Sequence, residues 1–154
     1  MSVITNYWLD PRFANVGRLM LKNCSVEALP SNDGITITTT NDSDPFAGLA
    51  VKVPANTMLR LALKSENPDR LTLSDNCVAN IWSNESAWIA SMTGDYVDFT
   101  SPSDGLVVIR FRAPATVGKH VAVRNVFLGT SDDYATLLKF VPSGFCAGDL
   151  MPLQ

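Results

Sequence analysis

The stretch NIWSNESAW, Asn80–Trp88, is where side chains able to do recognition chemistry are densest. It holds two indoles, three residues of amide or carboxylate type, and Tyr96 lies shortly after it. Exposed indoles stack on the apolar faces of pyranose rings, and flanking amides hydrogen-bond the ring hydroxyls. On that reading Asn80, Trp82, Asn84, Trp88 and Tyr96 form a glycan-contacting set, with Glu85 nearby. The competing reading, ranked ahead of it here, places both Trp residues in the core or in an intermolecular contact, because alternate residues of a strand face opposite ways.

Other chemistry has less to work with. His120 is the single histidine, lies on the opposite parity from Val121, Val123 and Phe127, and has no Gly-x-Ser-x-Gly elbow or other nucleophile signature beside it. The acidic residues fall mainly in turns, where solvated carboxylates are ordinary, so no acid pair for glycoside hydrolysis is assigned. Nine scattered glycines make no phosphate-cradling run before a helix. Cys24, Cys77 and Cys146 are odd in number and widely spaced, with no CxxC or Cys/His cluster, so neither zinc nor a disulfide framework is expected. No catalytic residue, metal or cofactor is assigned, and the chain is read as non-enzymatic.

Strands must position these side chains. Period-two alternation recurs through 47–53, 57–64, 105–112 and 119–128, with shorter candidates at 19–29, 34–40, 77–83, 87–92, 96–100 and 136–141. Shared parity puts Leu59, Leu61, Leu63, Val107, Ile109, Phe111, Val121, Val123 and Phe127 in one core. Clusters of Asn, Asp, Gly and Pro punctuate the strands, and no segment shows a helical period over ten residues. Roughly nine short strands predict an all-β antiparallel β-sandwich, a jelly roll over residues 1–141, with 142–154 as an apolar arm rather than a second domain. The chain has 154 residues, 46% hydrophobic and 18% charged, enough for one domain with a real core. The formal charge of −3 speaks against a nucleic-acid binder, and no apolar run approaches the ~20 residues that span a bilayer. The start, MSVITN, lacks the n- and h-regions of a signal peptide, which predicts folding in a reducing cytoplasm.

Charge and apolar character suggest contacts. Lys52, Arg60, Lys64, Arg110, Arg112 and Arg124 fall on the non-core parity, together with Met58, Ala62, Val108, Ala122 and Val126, while acids collect in turns. Arginine among apolar neighbours is interface composition, against the simpler alternative of charged strand surface that blocks edge pairing. Both termini are apolar, with Tyr7, Trp8, Leu9 and Phe13 at one end and Phe145, Leu150, Met151 and Leu153 at the other. The expected interface is therefore Tyr7, Trp8, Arg60, Arg110, Arg112, Arg124, Phe145, Leu150, Met151 and Leu153.

The opening N-x-x-x-D-P-R-F (Asn6, Asp10, Pro11, Arg12, Phe13) and the strand VAVRNVFLG (Val121–Gly129) resemble galactose-binding-like jelly rolls of the carbohydrate-binding-module type, over most of residues 6–141. The resemblance implies that an aromatic plugs one end of the sandwich and that the closing strand pairs with the first. Similar openings occur in tail and capsid-associated proteins of phages infecting actinobacteria. Many such modules carry an acid directly after the Phe that helps to hold calcium. Ala14 stands there instead, which removes an oxygen ligand and leaves only Asp10, Asp132 and Asp133 nearby in kind. The resemblance and the apolar termini together lead to an expected virion structural protein of a tailed phage, a capsid decoration or minor structural protein. It would be a homo-oligomer, a trimer for example, and bind major capsid or other virion proteins. The alternative is a carbohydrate-binding module of a tail protein that recognises host surface glycans.

Overall fold

The computed structural model describes residues 4–8, 13, 15–31 and 33–140, except for the side chain of Phe140. Ten strands are followed by one helix: β1 Met20–Lys22, β2 Cys24–Ala28, β3 Gly34–Thr39, β4 Phe46–Lys52, β5 Met58–Glu66, β6 Ala79–Ser83, β7 Trp88–Met92, β8 Tyr96–Thr100, β9 Leu106–Arg112, β10 His120–Gly129 and α1 Ser131–Phe140. They form two antiparallel five-stranded sheets, β1-β4-β9-β6-β7 (sheet 1) and β2-β3-β10-β5-β8 (sheet 2). The fold is the predicted all-β jelly-roll sandwich.

Alternation explains the core. Val107, Ile109 and Phe111 of β9 are buried on the inner face of sheet 1 and meet Leu59, Leu61 and Leu63 of β5, with Ile35 and Ile37 of β3, from sheet 2. All nine residues predicted for the core are buried. One end of the sandwich is closed by aromatics. The Trp8 ring meets Phe111 edge-on at 5.3 Å and Phe13 at 5.7 Å, and Phe13 meets Phe111 at 5.9 Å. Trp8 is 1% exposed, so it fills its own core and is not offered to a neighbour, contrary to the interface expectation. Tyr7 packs partly buried beside it.

Strand β10 changes face midway. Arg124 pairs with Lys64 but Phe127 with Ala62, so β10 carries one extra residue, and Asn125 takes a φ of 61° there. The bulge reverses the parity. Val126 and Leu128, not Phe127, face the main core, and Phe127 faces outward against Ile4, Ala62, Leu137 and Tyr134. Beyond the bulge, β3 no longer covers the edge of β10. The N-terminal segment does: the Asn6 amide donates to the Val126 carbonyl (3.2 Å) and accepts from the Leu128 N–H (3.0 Å), and the Tyr7 N–H donates to the Leu128 carbonyl (2.7 Å). Gly129 permits this approach, since a Cβ there would lie 2.5 Å from the Thr5 carbonyl oxygen.

Two more expectations are corrected. Residues 19–29 are not one strand. Asn23, at a φ of 53°, breaks them into β1 and β2, which belong to different sheets. The strand expected at 136–141 is not formed over its described residues, 136–140, which belong to α1, Ser131–Phe140. The Thr130 hydroxyl accepts from the Asp133 N–H (3.1 Å) as an N-cap, Asp132 and Asp133 sit in the first turn, and Lys139 in the last. Leu137 is buried and Tyr134 packs beside it, so the helix covers the outward-facing Phe127. The proposed arm, with Phe145, Leu150, Met151 and Leu153, lies outside the described residues.

Loops cover half of the outer face of sheet 1. Arg112 points outward from β9 yet is 1% exposed, with Asp44 and Ser74, from the loops before β4 and before β6, against its guanidinium. Its guanidinium donates to Asp44 and, through Nε, to the Ser74 hydroxyl at 3.0 Å, while that hydroxyl donates to the Pro45 carbonyl at 2.7 Å. Arg112 therefore holds two loops down and is unavailable as an interface residue. Burial opposes ionisation of Asp44, but hydrogen bonds and charge from Arg112, then Lys22, outweigh it and hold its carboxyl below the ordinary value. Such a group stabilises the fold above its unfolded-state pKa, and the contribution is lost as pH falls through the lower folded-state value.

Two outcomes are expected. Phe111→Ala should cost about 3–5 kcal/mol in urea denaturation, the range for truncating a buried aromatic. Asp44→Asn should cost about 1–3 kcal/mol at neutral pH by leaving a buried charged donor poorly satisfied. The gap between Asp44→Asn and wild type should close on acidification, as the wild-type carboxylate is protonated. A gap unchanged in acid would contradict the ionic role of Asp44.

Candidate functional site

The rest of the outer face of sheet 1 is open, and strand register sets what it displays. Met20, Gly48, Arg110, Asn80 and Ser91 form one row across the five strands, and Ala50, Val108, Trp82 and Trp88 form the next. Four inter-strand spacings of roughly 4.8 Å give a platform about 19 Å long. At its β7 end the pairing shifts: Ile81 opposes Ala90 but Trp82 opposes Trp88, so Ile89 is the extra residue and Trp88 is turned to the same side as Trp82. Trp88 is 59% exposed, and its indole N–H donates to the Ser91 hydroxyl at 2.9 Å, which fixes the ring. Trp82 is half-buried beside it.

The floor of the platform is an arginine between two aromatics. The Arg110 guanidinium carbon lies 4.5 Å from the centre of the Phe46 ring and 4.6 Å from that of Trp82. Stacking of this kind favours a flat cation over a π face. Gly48 leaves the room: a Cβ there would come within 3.4 Å of Arg110 Cγ and 3.0 Å of the Ile109 carbonyl oxygen. Burial, and then the charge of Arg112, pull the Arg110 pKa below its usual value. Asn80 is fully buried beneath the loop at Ser74–Asn76. Its Nδ2 donates to Asp75 Oδ2 at 2.6 Å, an arrangement made possible by the left-handed backbone of Asp75 and Asn76.

Several polar atoms on this floor have no partner. Among the described residues, Asn80 Oδ1, Trp82 Nε1 and Arg110 Nε are buried and accept or donate no hydrogen bond. A fourth such atom, Arg124 Nε on sheet 2, lies 2.9 Å from Glu66 Oε1 and is ion-paired. All three platform atoms lie beneath its exposed surface.

The other expected residues lie elsewhere. Asn84 is exposed in the turn joining β6 to β7, at the rim beyond the two Trp rings. Tyr96 is on sheet 2, stacked by Arg60 at 3.8 Å, and does not join them. Arg60 is held by both carboxylate oxygens of Asp98 (2.7 and 2.9 Å), and Arg124 by Asp33 and Glu66. The four arginines assigned to one interface are therefore split between two sheets, and they form no continuous Arg-bearing face. Phe46, Gly48, Ser91 and Asp75 escaped the sequence reading. Phe46 opens its strand without a distinctive motif, and Asp75 looks like an ordinary turn acid.

Elsewhere, a cavity of about 400 Å³ is lined by Tyr7, Trp8, Phe13, Arg18 and Lys52 among others. Several of these adjoin residues outside the described set, and no ligand chemistry is assigned to it. Cys24 and Cys77 are free and buried, and burial raises both thiol pKa values. Among the described residues no three His, Cys, Asp or Glu side chains group as a metal site.

No protein-family model matches the chain, and no curated protein sequence matches it. Solved structures do. The enzymatically active domain of bacteriophage CBA120 tailspike protein 4 matches with a TM-score of 0.54 at 14% identity, over 80% of this chain. This chain spans only 21% of that tailspike chain. The second N-terminal cellulose-binding domain of Cellulomonas fimi β-1,4-glucanase C matches with a TM-score of 0.53 at 14% identity, over 85% of this chain and 97% of that one. A family 29 carbohydrate-binding module from Piromyces equi has a TM-score of 0.44 at 12% identity, over 80% of this chain and 87% of that one. At such identities the first two likenesses establish the fold: a β-sandwich of the kind found in carbohydrate-binding modules.

Proposed function

We propose that the open half of the outer face of sheet 1 is a carbohydrate-binding surface, and that the protein acts by adhering to a glycan without cleaving it. The observation that carries this reading is the Trp88 ring, 59% exposed and fixed by Ser91, on the row of Trp82 and next to the row of Arg110, whose guanidinium pairs with no carboxylate among the described residues. A fixed, exposed indole beside such a cation suits a ligand that offers one apolar ring face and polar groups around it. The cellulose-binding domain with the same fold supports the reading.

Carbohydrate binding thereby moves ahead of shell decoration. Attachment to a shell through an Arg-bearing face and an aromatic N-terminal arm loses its support, because Trp8 and Arg112 are buried in their own fold. The virion of a tailed phage remains the proposed setting, with the protein as a glycan-contacting module of a tail. Any homo-oligomer contact through the C-terminal apolar residues rests on their composition alone.

The test is a glycan array, with calorimetry on any hit. Trp88→Ala should weaken binding at least tenfold, about 1.4 kcal/mol. Its melting temperature should stay close to wild type, since the ring is mostly in solvent. Wild-type protein that retains no glycan at any concentration would overturn the reading.

A further inference from the structure

We infer that the glycan held on sheet 1 is anionic and carries a carboxylate or sulfate group that is received by Arg110. This rests on the carbohydrate-binding reading and narrows it. Its basis is an asymmetry among the strand-borne arginines. Arg60 has Asp98, Arg112 has Asp44, and Arg124 has Asp33 and Glu66. Arg110 has no carboxylate within ion-pair distance among the described residues, although it is the one at the centre of the platform.

Nearby acids do not fill that role. Asp44 is engaged by Arg112 and by Lys22, at 3.2 Å from the latter, and Asp75 accepts from Asn80. The guanidinium carbon lies 4.5 Å from the Phe46 ring centre and 4.6 Å from that of Trp82, and Arg110 is only partly buried. A partly desolvated cation with unused donors is costly unless an anion meets it. A planar fork matches the oxygens of a carboxylate or a sulfate in two parallel hydrogen bonds. Beside this residue the exposed neutral group is the Trp88 ring, placed to stack, while Asn80 Oδ1 and Trp82 Nε1 lie buried beneath the surface. The layout is one anion socket within a neutral sugar-binding surface.

The protein as a whole has a formal charge of −3, so its net charge supplies no attraction to polyanions. Preference for an acidic sugar must come from the local geometry, which makes the inference specific enough to fail.

An array that prints uronic-acid-bearing, sulfated and neutral glycans is the first experiment, at physiological salt. Acidic glycans should dominate the hits. Carboxyl reduction or desulfation of the best hit should then weaken binding by wild-type protein roughly tenfold, the scale of one charge-assisted contact. Which of the two treatments acts identifies the acid group. Arg110→Gln should lose affinity for the acidic glycan to a similar degree, and Arg110→Lys, which keeps charge but not the planar fork, should recover part of it. Should Arg110→Gln melt far below wild type, the ligand-side treatments decide the matter without a variant. Equal binding to neutral glycans, unaffected by Arg110→Gln or by ligand treatment, would overturn this inference and leave carbohydrate binding intact. Binding to every polyanion that survives Trp88→Ala would reduce it to ion exchange and also overturn it. Retention of no glycan would remove both readings together.

Discussion

Strand β9 couples the inside of this protein to its outer surface. Its residues alternate strictly, and Val107, Ile109 and Phe111 are locked into the core, so Val108, Arg110 and Arg112 have no choice but the opposite face. A slip of one residue would bring two guanidinium groups into the apolar interior, where unpaired charge is prohibitively costly. The burial of three apolar side chains therefore fixes the position of the cation at the centre of the platform. The strands on either side, β4 and β6, transmit the same constraint through their register. Each places one aromatic, Phe46 or Trp82, where it can flank that cation.

The two arginines of β9 then meet opposite fates through the loops above them. Arg112 is covered, paired and tied to a serine hydroxyl, and it converts two irregular segments into a rigid lid. Arg110 is one row away, within electrostatic range of Asp44 and Asp75 but ion-paired with neither. Polar satisfaction is uneven across a single strand: Arg112 is ion-paired and hydrogen-bonded, whereas Arg110 Nε has no partner. Gly48 reinforces the contrast, since the absence of a side chain on β4 lets the Arg110 stem lie flat toward Phe46.

The opposite sheet solves a different problem. After Arg124, β10 would present a bare edge and a misdirected Phe127. The bulge at Asn125 returns Val126 and Leu128 to the core, Asn6 supplies the hydrogen bonds that β3 cannot, and α1 covers the aromatic left outside. The apolar character of the N-terminal segment is thus a requirement of its own sandwich. Trp8 and Phe13 close the end against Phe111, on the strand that carries the platform on its other side.

Period-two patterning by itself determined the fold class, the burial of the nine predicted core residues, though not the face on which Phe127 is buried, and the fact that Arg110 and Arg112 point away from the core, because alternation is a local property of an extended chain. It also singled out Trp82, Trp88 and Asn80 as residues suited to a sugar. Only tertiary structure decided which sheet each residue belongs to. Tyr96 and Arg60 are separated from Trp82 and Arg110 by the full thickness of the sandwich, a distance that no local pattern records. The bulges at Asn125 and Ile89 each add one residue and reverse a parity, and neither has a sequence signature strong enough to read beforehand. The helix at 131–140 is too short to show a clear helical period and is held by a threonine cap and by the Phe127 surface it covers. Whether an outward arginine is spent on the fold or left open depends on which loop carboxylates reach it, and long-range packing alone brings Asp44 to Arg112 and none to Arg110.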